Sequence, residues 1–109
     1  MLFKRRYLRK ILDGTKTQTR RPSSGFSGRA YKVGDVVPLR DSFRGPARAQ
    51  ILITRRFQQR LGDISLDEVR KEGFTSLEEF KREWMSIYGE WNPDQTVTVY
   101  EFRLVKEKL

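Results

Sequence analysis

The sequence predicts a single α+β domain built on a small barrel or strongly curled sheet. Three observations predict it. A short N-terminal segment carries apolar residues at helical spacing, a central segment alternates with a period of two, and two serine–glutamate capping signals precede a last segment apolar on both faces. At 109 residues the chain is long enough for one modest core and too short for two, so residues 1–109 are expected to form one domain.

The first element is a helix from Arg5 to Asp13. Tyr7, Leu8, Ile11 and Leu12 share one side, Arg5, Arg6, Arg9 and Lys10 the other, and Gly14 stands where a left-handed cap ends the helix. Lys16, just beyond, is expected to meet the negative end of that helix. Thr15 to Arg21 reads as a strand with two polar faces, which places it at a sheet edge or along a cleft. Residues 22–28 are rich in Pro, Ser and Gly and read as a mobile loop. Lys32-Val33-Gly34-Asp35 is a tight turn opening the strand Val36–Leu39, where Pro38 argues for an edge or a bulge.

From Ala47 to Phe57 the alternation is clear: Ala47, Ala49, Ile51 and Ile53 on one face, Arg48, Gln50, Leu52 and Thr54 on the other. Ser65 with Glu68 opens a helical turn that Gly73 ends, and Ser76 with Glu79 opens a longer helix. On that helix Leu77, Phe80, Trp84, Ile87 and Tyr88 form an aromatic stripe expected to pack in the core, and Trp91 in the loop that follows reads as a core plug or an exposed stacking platform, the core being favoured. Thr96 to Val105 is a last strand, apolar on both faces and so expected at the centre of the sheet.

Charge bounds the function. Residues 1–60 hold 16 Lys/Arg against 3 Asp/Glu, a net of +13, whereas residues 61–109 hold 7 against 11, a net of −4. Most of the first-half cations are arginine, whose planar fork suits phosphates and base edges, so a polyanion is the expected partner. No segment is apolar enough to span a membrane and no secretory signal opens the chain, which points to the cytoplasm. Without cysteine or histidine there is no thiolate nucleophile and no ordinary zinc site, so neither a metal nor another cofactor is expected. Any catalysis must run on Lys, Glu, Asp, Tyr or a hydroxyl.

Ile11-Leu12-Asp13-Gly14-Thr15-Lys16-Thr17-Gln18-Thr19-Arg20-Arg21, Tyr31-Lys32-Val33-Gly34-Asp35, Lys71-Glu72-Gly73-Phe74 with Phe80 and Trp84, then Trp91-Asn92 and Val99-Tyr100-Glu101-Phe102 follow one another along nearly the whole chain. In that order they resemble the successive motifs of the ASCH domain family. The resemblance implies a PUA-like barrel of about five to six strands with flanking helices and a basic cleft facing RNA or a modified nucleoside. The basic first half is expected to supply the phosphate or nucleic-acid contacts, through Arg5, Arg6, Arg9, Lys16, Arg20, Arg21, Arg29, Lys32, Arg55 and Arg56, Arg20 and Arg21 having no acidic neighbour in sequence. Some members of that superfamily deacetylate N4-acetylcytidine with a lysine, a threonine and a glutamate, which by motif are Lys16, Thr19 and Glu72 here. Other relatives imply a metal-independent ribonuclease.

The amidohydrolase chemistry is sound for these residue types. A free lysine amine can take the proton of a threonine hydroxyl that attacks an amide carbonyl, while a carboxylate orients the lysine. Burial and neighbouring cations would lower the pKa of Lys16, and Glu72 would raise it. Lys16 and Thr19 are three positions apart, so on a regular strand they face opposite sides; a bulge or twist at Gln18 is the expected means of bringing them together.

Overall fold

The helix begun at Arg5 stops because its last carbonyls are taken by the chain that turns away from it. The computed structural model describes residues 1–23 and 30–107, and in it α1 spans Arg5–Leu12 with Tyr7, Leu8 and Ile11 buried. Gly14, at φ +84°, donates its N–H to Ile11 O, and Lys16 N–H reaches Lys10 O at 3.0 Å. A side chain at that φ is strained, so glycine suits the exit.

The sheet is antiparallel throughout, in the order β1 (Gln18–Pro22), β4 (Thr96–Glu107), β3 (Ala49–Arg60), β2 (Val36–Leu39). β4 is central, as its two apolar faces require, and β1 and β2 are the edges, where Pro22 and Pro38 cost no ladder hydrogen bond in the interior of the sheet. Four strands replace the five to six expected, and the sheet order is open among the described residues. The reason lies in β3 and β4, which are twelve residues each. Register shifts between Gln50 and Ile51 and between Ile53 and Arg55 break the ladder of this long pair, and such irregularities bend a strand, so one long pair supplies curvature expected from several short ones. Beyond β2, Leu2 adds a single parallel bridge to Arg40.

The helices cover this sheet and fix the surroundings of β1. α2 (Leu66–Lys71) opens on a reciprocal capping box in which Glu68 N–H donates to Ser65 Oγ and Ser65 N–H to Glu68 Oε1, both at 3.1 Å. α3 (Leu77–Tyr88) uses half of that device. Glu79 N–H donates to Ser76 Oγ, but the Glu79 carboxylate instead accepts from Thr75 Oγ1 at 3.2 Å. Leu39, Ile51, Ile53, Val97 and Val99 form the sheet side of the core, with Tyr7, Leu8 and Ile11 of α1 and Phe80 and Trp84 of α3 in the same cluster. Trp91 is partly buried against it, edge-on to Phe80 at 6.0 Å and beneath Lys81. The loop expected over residues 22–28 lies, from residue 24 on, outside the described residues. Among the described residues no helix is long and apolar enough to cross a membrane.

Gly73 ends α2 at φ +97°, where a Cβ would stand 3.1 Å from Lys10 Cδ and 3.5 Å from Lys16 Cβ. Its carbonyl accepts from Lys10 Nζ at 2.6 Å, tying α1 to the end of α2. Gly73→Ala is expected to lower the unfolding free energy by about 1–2 kcal/mol, the cost of a side chain in left-handed backbone. Urea melts of the variant and the parent measure this; coincident midpoints would contradict it.

Candidate functional site

Gln18, Thr19 and Arg20 of β1 are buried, and burial favours partners for polar groups. The expected strand over Thr15–Arg21 begins only at Gln18. Thr17 instead splices two elements, its N–H donating to Lys71 O at the end of α2 and its carbonyl accepting from Phe102 N–H of β4. Lys16 therefore precedes the pleat, and strand alternation does not govern where its side chain goes relative to Thr19. No bulge is needed to bring the two to one cavity.

The Lys16 ammonium is buried and gives all three of its N–H bonds: to Gln18 O at 3.0 Å, to Glu72 O at 2.9 Å and to Glu72 Oε1 at 2.9 Å. It thus serves the C-terminal end of α2, while only its backbone N–H serves α1, where the cation was expected to act. Burial holds its pKa below the usual lysine value, Glu72 opposes this, and the charges of Arg21 and Arg20 add to the lowering.

Arg20 is placed differently from its expected role. Its side chain is 0% exposed, and its five N–H donors are all engaged. Nε and Nη2 donate to Gln59 Oε1, Nη1 to Glu72 Oε2 at 3.0 Å and to Gln18 Oε1, and Nη2 to Glu68 Oε2 at 2.6 Å. No donor remains for a phosphate. Arg20 is an internal tie between β1, β3 and α2. Gln18, in turn, donates to Glu101 Oε2, which also receives Lys71. Burial alone would raise the Glu68 and Glu101 carboxyls. Gln59, Ser65 and Arg20 hold the first below its ordinary value, and Lys71, Gln18 and Arg55 the second.

Above this network lies a cavity of about 220 Å³ bounded by β1, α1, α3 and the N-terminal residues. Lys16, Thr19 and Glu72 line its buried end, so the three candidate catalytic residues do share one cleft. The Thr19 hydroxyl makes no hydrogen bond to another described residue, although Thr19 is only 4% exposed. The walls are Phe3, Tyr7, Phe74, Phe80, Trp84 and Tyr88, and Lys4, Arg21 and Glu83 stand at the more exposed end. Ligand pockets usually enclose about 300–1,000 Å³, so this one is sized for a small ligand.

The aromatic stripe of α3 is therefore not only core. Phe80 and Trp84 are buried, but Ile87 and Tyr88 are 49% and 40% exposed and line the cavity, because the last turn of α3 extends past the packed cluster. Trp84 Nε1 is buried without a hydrogen-bond partner among the described residues. Glu83 and Lys4 were not apparent from sequence. Burial works against the Glu83 charge, yet hydrogen bonds from Lys4 and Tyr7 and the charge of Arg6 keep its carboxyl low, while burial and Glu83 push the Tyr7 hydroxyl up to about 12.

Most of the cations expected to form the cleft lie elsewhere. Of the ten named from sequence, Lys16, Arg20 and Arg21 line the cavity. Arg21 has its guanidinium 4.9 Å above the Phe3 ring and donates to Leu2 O. Arg5 pairs with Asp41, Arg6 with Glu83, and Arg55 with Glu101 at 3.5 Å. Arg9, Lys32 and Arg56 are exposed and have no ion-pair partner among the described residues. Arg29 falls outside the described residues. Even so, four lining cations, Lys4, Lys16, Arg20 and Arg21, face two lining carboxylates, Glu72 and Glu83.

No family model matches this chain, and no curated protein matches it. Its fold does match solved structures. An ASCH domain from Lactobacillus crispatus superposes with a TM-score of 0.71 at 21% identity over 93% of this chain and 71% of that one. A protein from Enterococcus faecalis gives 0.74 at 21% identity over 94% and 68%, and an ASCH protein from Zymomonas mobilis 0.65 at 12% identity over 94% and 66%. The chain has the ASCH domain fold.

Replacing Arg20 by Met strands Glu68 and Glu72 without their shared cation, which for a buried charge costs about 3–5 kcal/mol. The exposed Arg56→Met is expected to stay within about 0.5 kcal/mol. Thermal and urea unfolding of both variants check the pair, and equal stability of the two would show that Arg20 is not the internal tie described.

Proposed function

We propose that this ASCH fold binds a nucleobase in the cavity between β1, α1 and α3, as part of an RNA or as a modified nucleoside. The observation that carries the reading is the convergence of Lys16, Thr19 and Glu72 at the buried end of a cavity walled by aromatic rings. A flat heterocycle gains contact with aromatic rings there, while the Thr19 hydroxyl and the Glu72 carboxylate offer polar atoms to its edge. Arg21 and Lys4, at the exposed end, are the cations suited to a sugar-linked phosphate. Arg9, Lys32 and Arg56 add long-range attraction for a polyanion.

One observation favours a second reading, hydrolysis of N4-acetylcytidine: the Thr19 hydroxyl makes no hydrogen bond among the described residues and shares the cavity with Lys16, whose pKa burial lowers. In that reaction Thr19 Oγ adds to the acetyl carbonyl carbon as its proton passes to a neutral Lys16 amine. The C–N bond then breaks with return of that proton to the cytosine N4, and water hydrolyses the acetyl ester of Thr19 to acetate. Glu72 orients Lys16 throughout.

Binding of a single-stranded RNA oligonucleotide tests the first reading. With about three phosphate contacts, its affinity should fall about 20-fold between about 50 and 200 mM salt; affinity indifferent to salt would contradict the electrostatic part. Turnover of N4-acetylcytidine tests the second. Lys16→Ala and Thr19→Val should each lose about 100-fold or more, and wild-type kcat/KM should rise with pH to a plateau, with a midpoint below the ordinary lysine value of 10.5. Equal turnover by wild type and Lys16→Ala, or none by either, removes the hydrolase and leaves the binding reading standing.

A further inference from the structure

The β2–β3 loop presents an aromatic ring to solvent in a way the fold itself does not use. Phe43 is 89% exposed, and among the described residues Tyr88, at 40%, is the only other aromatic among the exposed large apolar side chains. Tyr88 lines the cavity; Phe43 neither lines it nor joins the core. An isolated exposed apolar residue needs no explanation by itself, but this one stands on a built loop.

Arg48 N–H donates to Leu39 O at 2.7 Å, closing the loop at its base, and Gly45 N–H donates to Ser42 O at 3.2 Å, closing its tip. Arg40 Nε donates to Gly45 O across it. A Cβ on Gly45 would meet Ser42 Oγ, which would have to rotate aside. Asp41 accepts from Arg5 Nε at 3.1 Å and lies 3.7 Å from Arg48 Nε, pinning the loop to α1. Phe43 is thus held out by a hydrogen-bonded frame, and its immediate neighbour Arg44 is exposed with no partner among the described residues.

The same loop is stitched to the cavity. Arg40 O accepts from Phe3 N–H at 2.9 Å and Arg40 N–H donates to Met1 O at 3.0 Å, while Leu2 and Phe3 line the cavity and Leu2 O accepts from Arg21. The backbone of Arg40 is thus joined to the N-terminal residues that Arg21 reaches, and Phe43 and Arg44 follow it in the same loop. Single-stranded nucleic acid is held by exposed rings that stack on bases without regard to their identity and by arginines that follow the phosphates, and this loop offers one of each in Phe43 and Arg44.

We propose that Phe43 is a stacking platform for a second base of a single-stranded RNA whose first base occupies the cavity, with Arg44 on the phosphates between them. The inference rests on the nucleobase reading of the cavity and deepens it, because it makes the natural ligand a polymer and not a free nucleoside.

The test compares a fluorescein-labelled single-stranded oligocytidylate, followed by anisotropy, with free cytidine, followed by calorimetry. Phe43→Ala should weaken the oligonucleotide about 5- to 100-fold and leave cytidine unchanged, and Phe43→Trp should restore oligonucleotide binding. Arg44→Ala should instead flatten the salt dependence, by about 0.7 in the slope of log affinity against log salt for one phosphate contact. Oligonucleotide affinity unchanged in Phe43→Ala would overturn the inference, as would equal weakening of cytidine, which would show Phe43 acting through the fold. Wild-type protein that binds cytidine but not the oligonucleotide would overturn it and leave the cavity reading intact. Oligonucleotide binding that depends on Phe43 without any cytidine binding would support the platform and overturn the cavity reading.

Discussion

The carboxylate of Glu72 is the constraint on which the rest of the structure depends. It is buried at the end of α2, receives Lys16 on one oxygen and Arg20 on the other, and its backbone carbonyl receives Lys16 again. A charge in that position is tolerated only with paired and fully satisfied partners. That requirement pins three things at once: the end of α2, the approach of the chain from α1 into β1, and the inward orientation of the β1 side chains. Glu68 extends the arrangement by taking the second side of Arg20, so two cations and two carboxylates balance beneath the cavity.

This balance gives the cavity its chemical character. A floor of saturated ion pairs does not attract ions strongly, but every one of its groups is oriented. Lys16 has no N–H to spare, so a ligand acceptor must take the place of Gln18 O or of a Glu72 oxygen to reach it. The Thr19 hydroxyl, by contrast, makes no hydrogen bond among the described residues. The cavity thus joins aromatic walls to an oriented polar cluster. The surplus of lining cations comes from Lys4 and Arg21, the more exposed of the lining cations.

Local rules made much of the fold legible. Gly14 and Gly73 marked helix ends, the alternation from Ala49 to Ile53 marked β3, and Ser65 with Glu68 marked the start of α2, each through interactions spanning a few residues. What was not legible depends on distance along the chain. Arg20 lacks an acidic neighbour in sequence, yet its carboxylates arrive from positions 68 and 72. Arg5 and Arg6 looked free and are paired with Asp41 and Glu83. The spacing of Phe80, Trp84, Ile87 and Tyr88 could not reveal that the last turn of α3 borders a cavity, because a stripe facing the core and a stripe facing a void have the same period. Likewise the odd spacing of Lys16 and Thr19 was an obstacle only while both were assigned to one strand.

The central claim is that a nucleobase enters the cavity and meets Lys16, Thr19 and Glu72, and an amide and side-chain NMR titration with cytidine tests it most directly. The account predicts that the Thr19 and Arg21 amides and the Trp84 indole N–H shift together along one saturable curve, while the amides of Arg9 and Arg56 stay in place. Shifts confined to the exterior cations, or no saturable shift at the cavity residues, would contradict it.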